Sequence, residues 1–298
     1  MKVLVTGAQG QVGRCLLASV PAAVTAVGLT RAQLDVGDAD AVDRAVEAHA
    51  PAVIINAAAY TAVDRAESEV DAARRVNALG PRYLARAARA CGARLLHIST
   101  DFVFDGRAGS PYGPGAPTAP LGTYGLTKLE GEQAVLELAA ATSVVLRTAW
   151  VYAAHGANFL RTMLRIMGEK GQVRVVADQI GTPTSADSLA GVLWGLAGRP
   201  DITGIHHFTD AGVASWYDFA VAIAEEGTAA GLLPAGIRVT AIGTADYPTP
   251  ARRPGYSVLD KSSLLAALAP QHLHWRVSLR QVLGALGANR SERLPDHN

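Results

Sequence analysis

The chain predicts an α/β fold, with a doubly wound parallel sheet in its first half and a smaller, less regular α+β region behind it. Three observations carry that expectation. Short β-branched runs alternate with alanine-rich segments whose apolar residues recur at helical spacing. The runs are nearly continuous in apolar residues, as strands covered on both faces require. Gly7, Gly10 and Gly13 follow the first run directly, where a fold of this kind opens its first helix.

Strands are expected over residues 3–5, 24–29, 52–56, 94–98 and 143–146, with helices after each except where loops intervene. Beyond Trp150 the rhythm changes. A helix is expected over 159–167, a short strand near Val173, the loop "DQIGTPTSAD" and a helix from Asp187. Residues 243–256, rich in Pro, Gly and Arg, read as an ordered loop reaching back over a site. The tail "NRSERLPDHN" reads as peripheral or disordered. Residues 1–150 are thus expected to be mainly dinucleotide-binding and 151–298 mainly substrate-binding, with some later segments returning to the first core.

Composition narrows the function. With 298 residues, 49% hydrophobic and 18% charged, the chain can bury one large core, and a net charge of +1 supplies no field for nucleic acid or an anionic membrane. No stretch approaches the ~18 apolar residues of a membrane span, and Cys15 and Cys91 are too few for a disulfide framework. A cytoplasmic protein with reduced thiols is expected, binding any anion locally.

The glycines show where. In "VTGAQGQVG" a side chain at Gly7, Gly10 or Gly13 would block the tight turn, the approach of a pyrophosphate or the packing of helix on strand. Gln9, Gln11 and Val12 share this Rossmann-type loop, and the helix N-terminus supplies free amides. After the second strand come Thr30 and Arg31 in place of the acid that binds the ribose diol of NAD. NADPH is therefore favoured, with NADH the alternative. Asp35 and Val36 fall beyond that strand, on the adenine side.

At the reacting end, Tyr124 and Lys128 stand four residues apart in "TYGLTKLEGE". The sequence has four lysines and eight tyrosines, so chance alone gives about 0.1 such pairs. On one helix face the ammonium would stabilise tyrosinate and lower the phenol pKa. Thr100 closes the fourth strand, where its hydroxyl could share a substrate oxygen. Phosphate loop, strand-end threonine and Tyr/Lys pair describe a short-chain dehydrogenase/reductase site.

Across essentially its whole length the chain resembles the dTDP-4-dehydrorhamnose reductase family, extended members of that superfamily. The resemblance rests on "VTGAQGQVG", "NAAAYTAVDRAE", "VNALGP", "HISTDFVFDG", "PLGTYGLTKLEGE", "LRTAWVY", "NFLRTML", "DQIGTPT" and "YPTPARRPGYSVLD". It implies NADPH-dependent reduction of the C4 keto group of dTDP-4-dehydro-β-L-rhamnose. Tyr124 would be the proton donor, Lys128 the ribose ligand that tunes it, and Thr100 a hydrogen-bond partner of the same oxygen. Ala57, Ala58 and Ala59 would flank the cofactor. Asp101, Phe102 and Trp150 would lie beside the sugar, Trp150 having core packing as its alternative. Arg253 would face the nucleotide diphosphate, a task Arg252 could also take.

Two departures qualify the resemblance. Cys15 stands where some relatives place a carboxylate for a metal shared between subunits, so bridging Mg²⁺ is not expected and a monomer or weak homodimer is. Residues 111–116 lack the acids of a "PYxExD"-like run. Sugar-nucleotide dehydratases follow the threonine with Asp-Glu, whereas Phe102 cannot act as a base. A related keto-sugar reductase of the dihydrostreptose type and a non-catalytic NADP-binding regulatory subunit are the remaining alternatives.

Overall fold

The computed structural model describes residues 1–291. Its strands are β1 (Lys2–Thr6), β2 (Thr25–Leu29), β3 (Val53–Asn56), β4 (Arg94–Thr100), β5 (Ser143–Thr148), β6 (Val151–Tyr152), β7 (Gln172–Val176), β8 (Ile180–Gly181), β9 (Thr184–Ser185), β10 (Gly204–His207), β11 (Ala214–Ser215) and β12 (Arg238–Ile242). Its α-helices are α1 (Gln11–Ala18), α2 (Ala39–His49), α3 (Val63–Ala66), α4 (Val70–Arg74), α5 (Gly80–Cys91), α6 (Thr123–Ala139), α7 (Phe159–Lys170), α8 (Ala186–Ala197), α9 (Trp216–Ala229), α10 (Ser262–Leu268) and α11 (Trp275–Ser291).

Six strands form one parallel sheet in the order β10-β5-β4-β3-β1-β2. Alternation along the strands explains its two covered faces. Val3, Val5, Ile55, Leu96 and Leu146 pack with Leu16 and with Leu189, Leu193 and Leu196 of α8. Leu4, Ile54, Leu95 and Val145 face the opposite way, against Val42, Leu84 and Val135 of α2, α5 and α6. The strand order reverses between β1 and β3, so their carboxyl ends diverge into the crevice where a doubly wound sheet takes its ligand.

The expected strands are all present, with ends shifted by one or two residues. β4 runs two residues past the expected 98, so that Thr100 closes it as expected. The expected loop 178–187 contains β8 and β9, two-residue strands that pair with β11 and β6. A third core lies between α7, α9 and α11, around Leu160, Met163, Phe219, Ile223 and Leu279. α11 extends through Ser291, three residues into the tail expected to be peripheral, and the rest of that tail lies outside the described residues. A π-helical turn, Arg75–Leu79, precedes α5. It turns the Asn77 amide inward, where its Oδ1 accepts from Tyr60 N at 2.8 Å and its Nδ2 donates to Tyr60 O at 3.0 Å.

Candidate active site

At the crevice Gly7 has φ 67°, and a Cβ there would lie 2.7 Å from Ala57 O and Ala58 N. A Cβ at Gly13 would collide with Gly7 O. Bare backbone from two loops therefore meets the start of α1, whose first amides have no intrahelical acceptor. Beside it opens a cavity of about 220 Å³, lined by Gly7, Gln9, Gly10, Arg31, Asp35, Val36 and Ala57, Ala58 and Ala59 among others. Leu34, Tyr60 and Val76, which the sequence did not single out, complete the wall. This cradle, with no room for a Cβ and a cation at its rim, fits a phosphorylated dinucleotide.

Of the expected cofactor residues, Gln11, Val12, Gly13 and Thr30, like Tyr124 and Lys128 at the reacting end, do not line that cavity. Gly13 supports the turn from beneath and Val12 packs on the core. The Gln11 side chain accepts from Asn158 Nδ2 at 2.8 Å, fastening the start of α1 to the start of α7. Thr30 donates to Gln33 Oε1 from both its amide and its hydroxyl. Asp35 is paired with Arg75 at 2.8 Å and accepts from Gly37 N, so its carboxyl is held below the usual range against the opposing pull of burial. Arg31 is exposed.

At the reacting end, Thr100, Tyr124 and Lys128 do come together. Lys128, 2% exposed, donates from Nζ to Ile98 O at 2.7 Å, reaching from α6 to the strand that ends in Thr100. Burial lowers its pKa to about 8, opposed by the nearby Glu132 carboxylate. The Tyr124 pKa is pushed up to about 12, by burial first, with its hydrogen bond to Thr100 acting the other way and the Asp101 charge adding to the rise. The expected lowering by Lys128 is thus not seen, because the ammonium is directed at Ile98 O and desolvation dominates.

Asp101 is 1% exposed and accepts from Thr100 Oγ1 at 3.0 Å. Burial raises its pKa to about 6, with Ser257, Thr100 and backbone amides opposing. The Phe102 ring meets Tyr124 edge-on at 5.5 Å. Below this group Glu132 and Arg147 form a buried ion pair at 2.6 Å, and Ser99 Oγ donates to Glu132 at 2.5 Å.

Trp150 has φ 48°, a region costly for a residue with a Cβ. Its ring stacks on Trp216 at 3.5 Å and 5°, and it lies so close to Gly181 that a Cβ there would be 2.6 Å from Trp150 Cε2. The half-buried Trp150 is thus packed and also open on part of its surface. Arg253 forms a two-pronged pair with Asp64, Nη2 to Oδ2 at 2.8 Å and Nη1 to Oδ1 at 3.1 Å, and also reaches Thr249. Its fork is therefore committed to α3. The loop packs on the segment that follows β4, where a Cβ at Gly106 would sit 2.6 Å from Pro254 Cα.

The family model described as the RmlD substrate binding domain matches residues 1–287. The chain belongs to the RmlD family of dTDP-4-dehydrorhamnose reductases. A reductase of that name from Streptomyces griseus is 45% identical, with 98% of this chain and 96% of the relative covered. One from Aggregatibacter actinomycetemcomitans is 42% identical, covering 94% and 98%. Among solved structures, the dTDP-4-dehydrorhamnose reductase from Bacillus anthracis in complex with NADP has TM-score 0.88 at 34% identity, covering 94% of this chain and 98% of that one. The dTDP-glucose 4,6-dehydratase DesIV from Streptomyces venezuelae, at 19% identity and TM-score 0.76, shares the fold alone.

Placed on this RmlD fold, the stretch "NAAAYTAVDRAE" holds what sequence reasoning missed. Asp64 binds Arg253 and Glu67 binds the start of α6, while Tyr60 Oη donates to Glu69, two residues past the stretch, at 2.5 Å. The stretch was quoted for its likeness, but its partners lie up to 189 residues away, and spacing carries no signal of them.

Proposed function

We propose that the chain is an NADPH-dependent reductase of dTDP-4-dehydro-β-L-rhamnose, giving dTDP-L-rhamnose. The convergence of Thr100, Tyr124 and buried Lys128 at the crevice is the observation that carries the reading. Gly7, Gly10, Ala57 and Ala58 would hold the dinucleotide, with Arg31 at the adenosine phosphate and Lys128 at the nicotinamide ribose. When bound, NADPH supplies a hydride to C4 of the sugar.

Tyr124 then gives its phenolic proton to O4. Held at about 12, the phenol keeps its proton at neutral pH, and it is the negative charge developing on the carbonyl oxygen that draws the proton across. Lys128, protonated below about pH 8, stabilises the tyrosinate left behind. Thr100, in hydrogen-bond contact with Tyr124 and donating to Asp101, fixes the direction of the phenol. Phe102 supplies an apolar edge and no base, which favours reduction over dehydration.

The nucleotide would lie mainly against residues 1–150 and the sugar mainly against 151–298, with Trp150 beside the ring and Asp101 near its hydroxyls. Arg253 would reach a diphosphate by exchanging it for Asp64. Among the described residues no helix is long and apolar enough to cross a membrane, and we place the enzyme in the cytoplasm as a monomer or weak homodimer. The test is to supply the 4-keto sugar nucleotide, follow NADPH and NADH oxidation separately, and identify the sugar formed. Binding of NADPH without oxidation would sink the enzymatic reading in favour of a non-catalytic subunit.

A further inference from the structure

α6 begins at Thr123, and the N-cap position before it is Gly122, which has no side chain to satisfy the first amides. A residue from elsewhere does so. Glu67, 56 positions earlier, accepts from Thr123 N through Oε1 at 2.8 Å and from Thr123 Oγ1 through Oε2 at 3.2 Å. A Cβ at Gly122 would sit 2.6 Å from Glu67 Oε1 and would push the carboxylate aside. Tyr124 is the next residue along.

The rest of α6 is located by close approaches. A Cβ at Gly125 would collide with Phe102 O, and one at Gly131 with Asn77 O. These contacts limit how near the helix can come to its neighbours, but neither holds its first residue directly. The Glu67 carboxylate does, through a charge-assisted hydrogen bond to a helix start whose dipole favours an anion. It also stands between two parts of the site. Glu67 follows α3 on the chain that leaves the cofactor cavity at Tyr60, and Asp64 in α3 holds Arg253.

We propose that Glu67 is a positioning residue for Tyr124, an external cap that sets the depth and angle of the first turn of α6 and so the distance of the phenol from the reacting oxygen. This deepens the reductase reading and rests on it. A shift of about 1 Å in a reacting group costs on the order of 10²-fold in rate, so the effect belongs in kcat and not in cofactor affinity.

Glu67→Ala should lower kcat by roughly ten- to a hundredfold while leaving the NADPH Kd within about twofold. Glu67→Gln, which keeps an acceptor for Thr123 N and can donate to Thr123 Oγ1, should restore kcat to within about threefold of the parent. An unchanged kcat in Glu67→Ala would overturn the assignment, as would a loss of kcat matched by an equal loss of NADPH affinity. Should Glu67→Ala not fold, Glu67→Asp, one methylene shorter, carries the test: kcat must fall with the melting temperature near the parent's, and a parental kcat refutes the role. The parent enzyme is assayed alongside. If the parent itself oxidises no NADPH, the reductase reading fails separately. The cap is then judged by ultraviolet titration of Tyr124 against a Tyr124→Phe blank, where an identical phenol pKa in parent and Glu67→Ala refutes it.

Discussion

The two ends of the crevice are made in opposite ways. The nucleotide end depends on atoms that are missing: Gly7, Gly13 and the alanines after β3 leave backbone bare, and a single Cβ would fill the space. The reacting end depends on side chains that are present and buried, Lys128 on a carbonyl, Tyr124 against Phe102, and Glu132 with Arg147 beneath them. A cradle for phosphate needs clearance and amides, which backbone supplies. Proton transfer needs groups of defined acidity, which only side chains in a chosen environment supply.

The largest separation of the two ends should come from Tyr124→Phe. It should cut kcat by about 10²- to 10⁴-fold with the NADPH Kd unchanged, measured by stopped-flow turnover and by fluorescence titration. A variant that reduces substrate at the parent rate would refute the role of the phenol. Next comes the support below it. Glu132→Ala leaves Arg147 buried without its partner, and thermal or urea unfolding should show a loss of about 3–5 kcal/mol. A loss below 1 kcal/mol would mean that the pair is solvated in solution.

At the nucleotide end, Gly7→Ala should weaken NADPH binding by more than about tenfold, since the left-handed backbone and the contact with Ala57 both oppose a Cβ. Residual turnover at saturating NADPH should stay near the parent value. Equal affinity would show that the cofactor does not use this cradle.

The pH dependence sharpens the comparison from the other side. As pH rises through about 8, Lys128 loses its ammonium, so kcat/KM for NADPH should fall about tenfold per unit above that value. Stability moves in the opposite direction. The unfolded chain holds this proton up to the ordinary lysine value of 10.5, so between about 8 and 10.5 the fold gains stability from this group as pH rises. Lys128→Met should remove both slopes, and a kcat/KM profile flat to pH 10 would exclude the lysine. The smallest effect belongs to Arg31→Asp, an exposed site, where the NADPH/NADH preference should drop by about tenfold. An unchanged ratio would place the discriminating charge elsewhere.

The sheet was legible because burial on both faces writes itself into continuous apolar runs, and the phosphate loop because only glycine serves there. Tyr124 and Lys128 were legible as one pair on one helix. Glu67 and Asp64 were not, since nothing in a sequence marks a carboxylate whose partner lies 56 or 189 residues away. β6, β8, β9 and β11, two residues each, are too short for alternation to register. The raised Tyr124 pKa was misjudged for a related reason. Helical spacing shows that two side chains share a face, but not that one of them is turned toward Ile98 O.

β10 (Gly204–His207) returns to the main sheet after a 55-residue excursion and pairs with the whole middle of β5, Val144 to Arg147. The excursion includes α8, which covers one face of the sheet. A chain cut at Trp150, where the two regions part in sequence, would keep every glycine of the phosphate loop and still leave β5 unpaired along the edge that β10 covers, Val144 to Arg147. Such a fragment would pair with its own copies before it could meet a nucleotide. Residues 1–150 are therefore not a self-contained unit: β10 and α8, from the later part of the chain, complete their sheet and cover one of its faces.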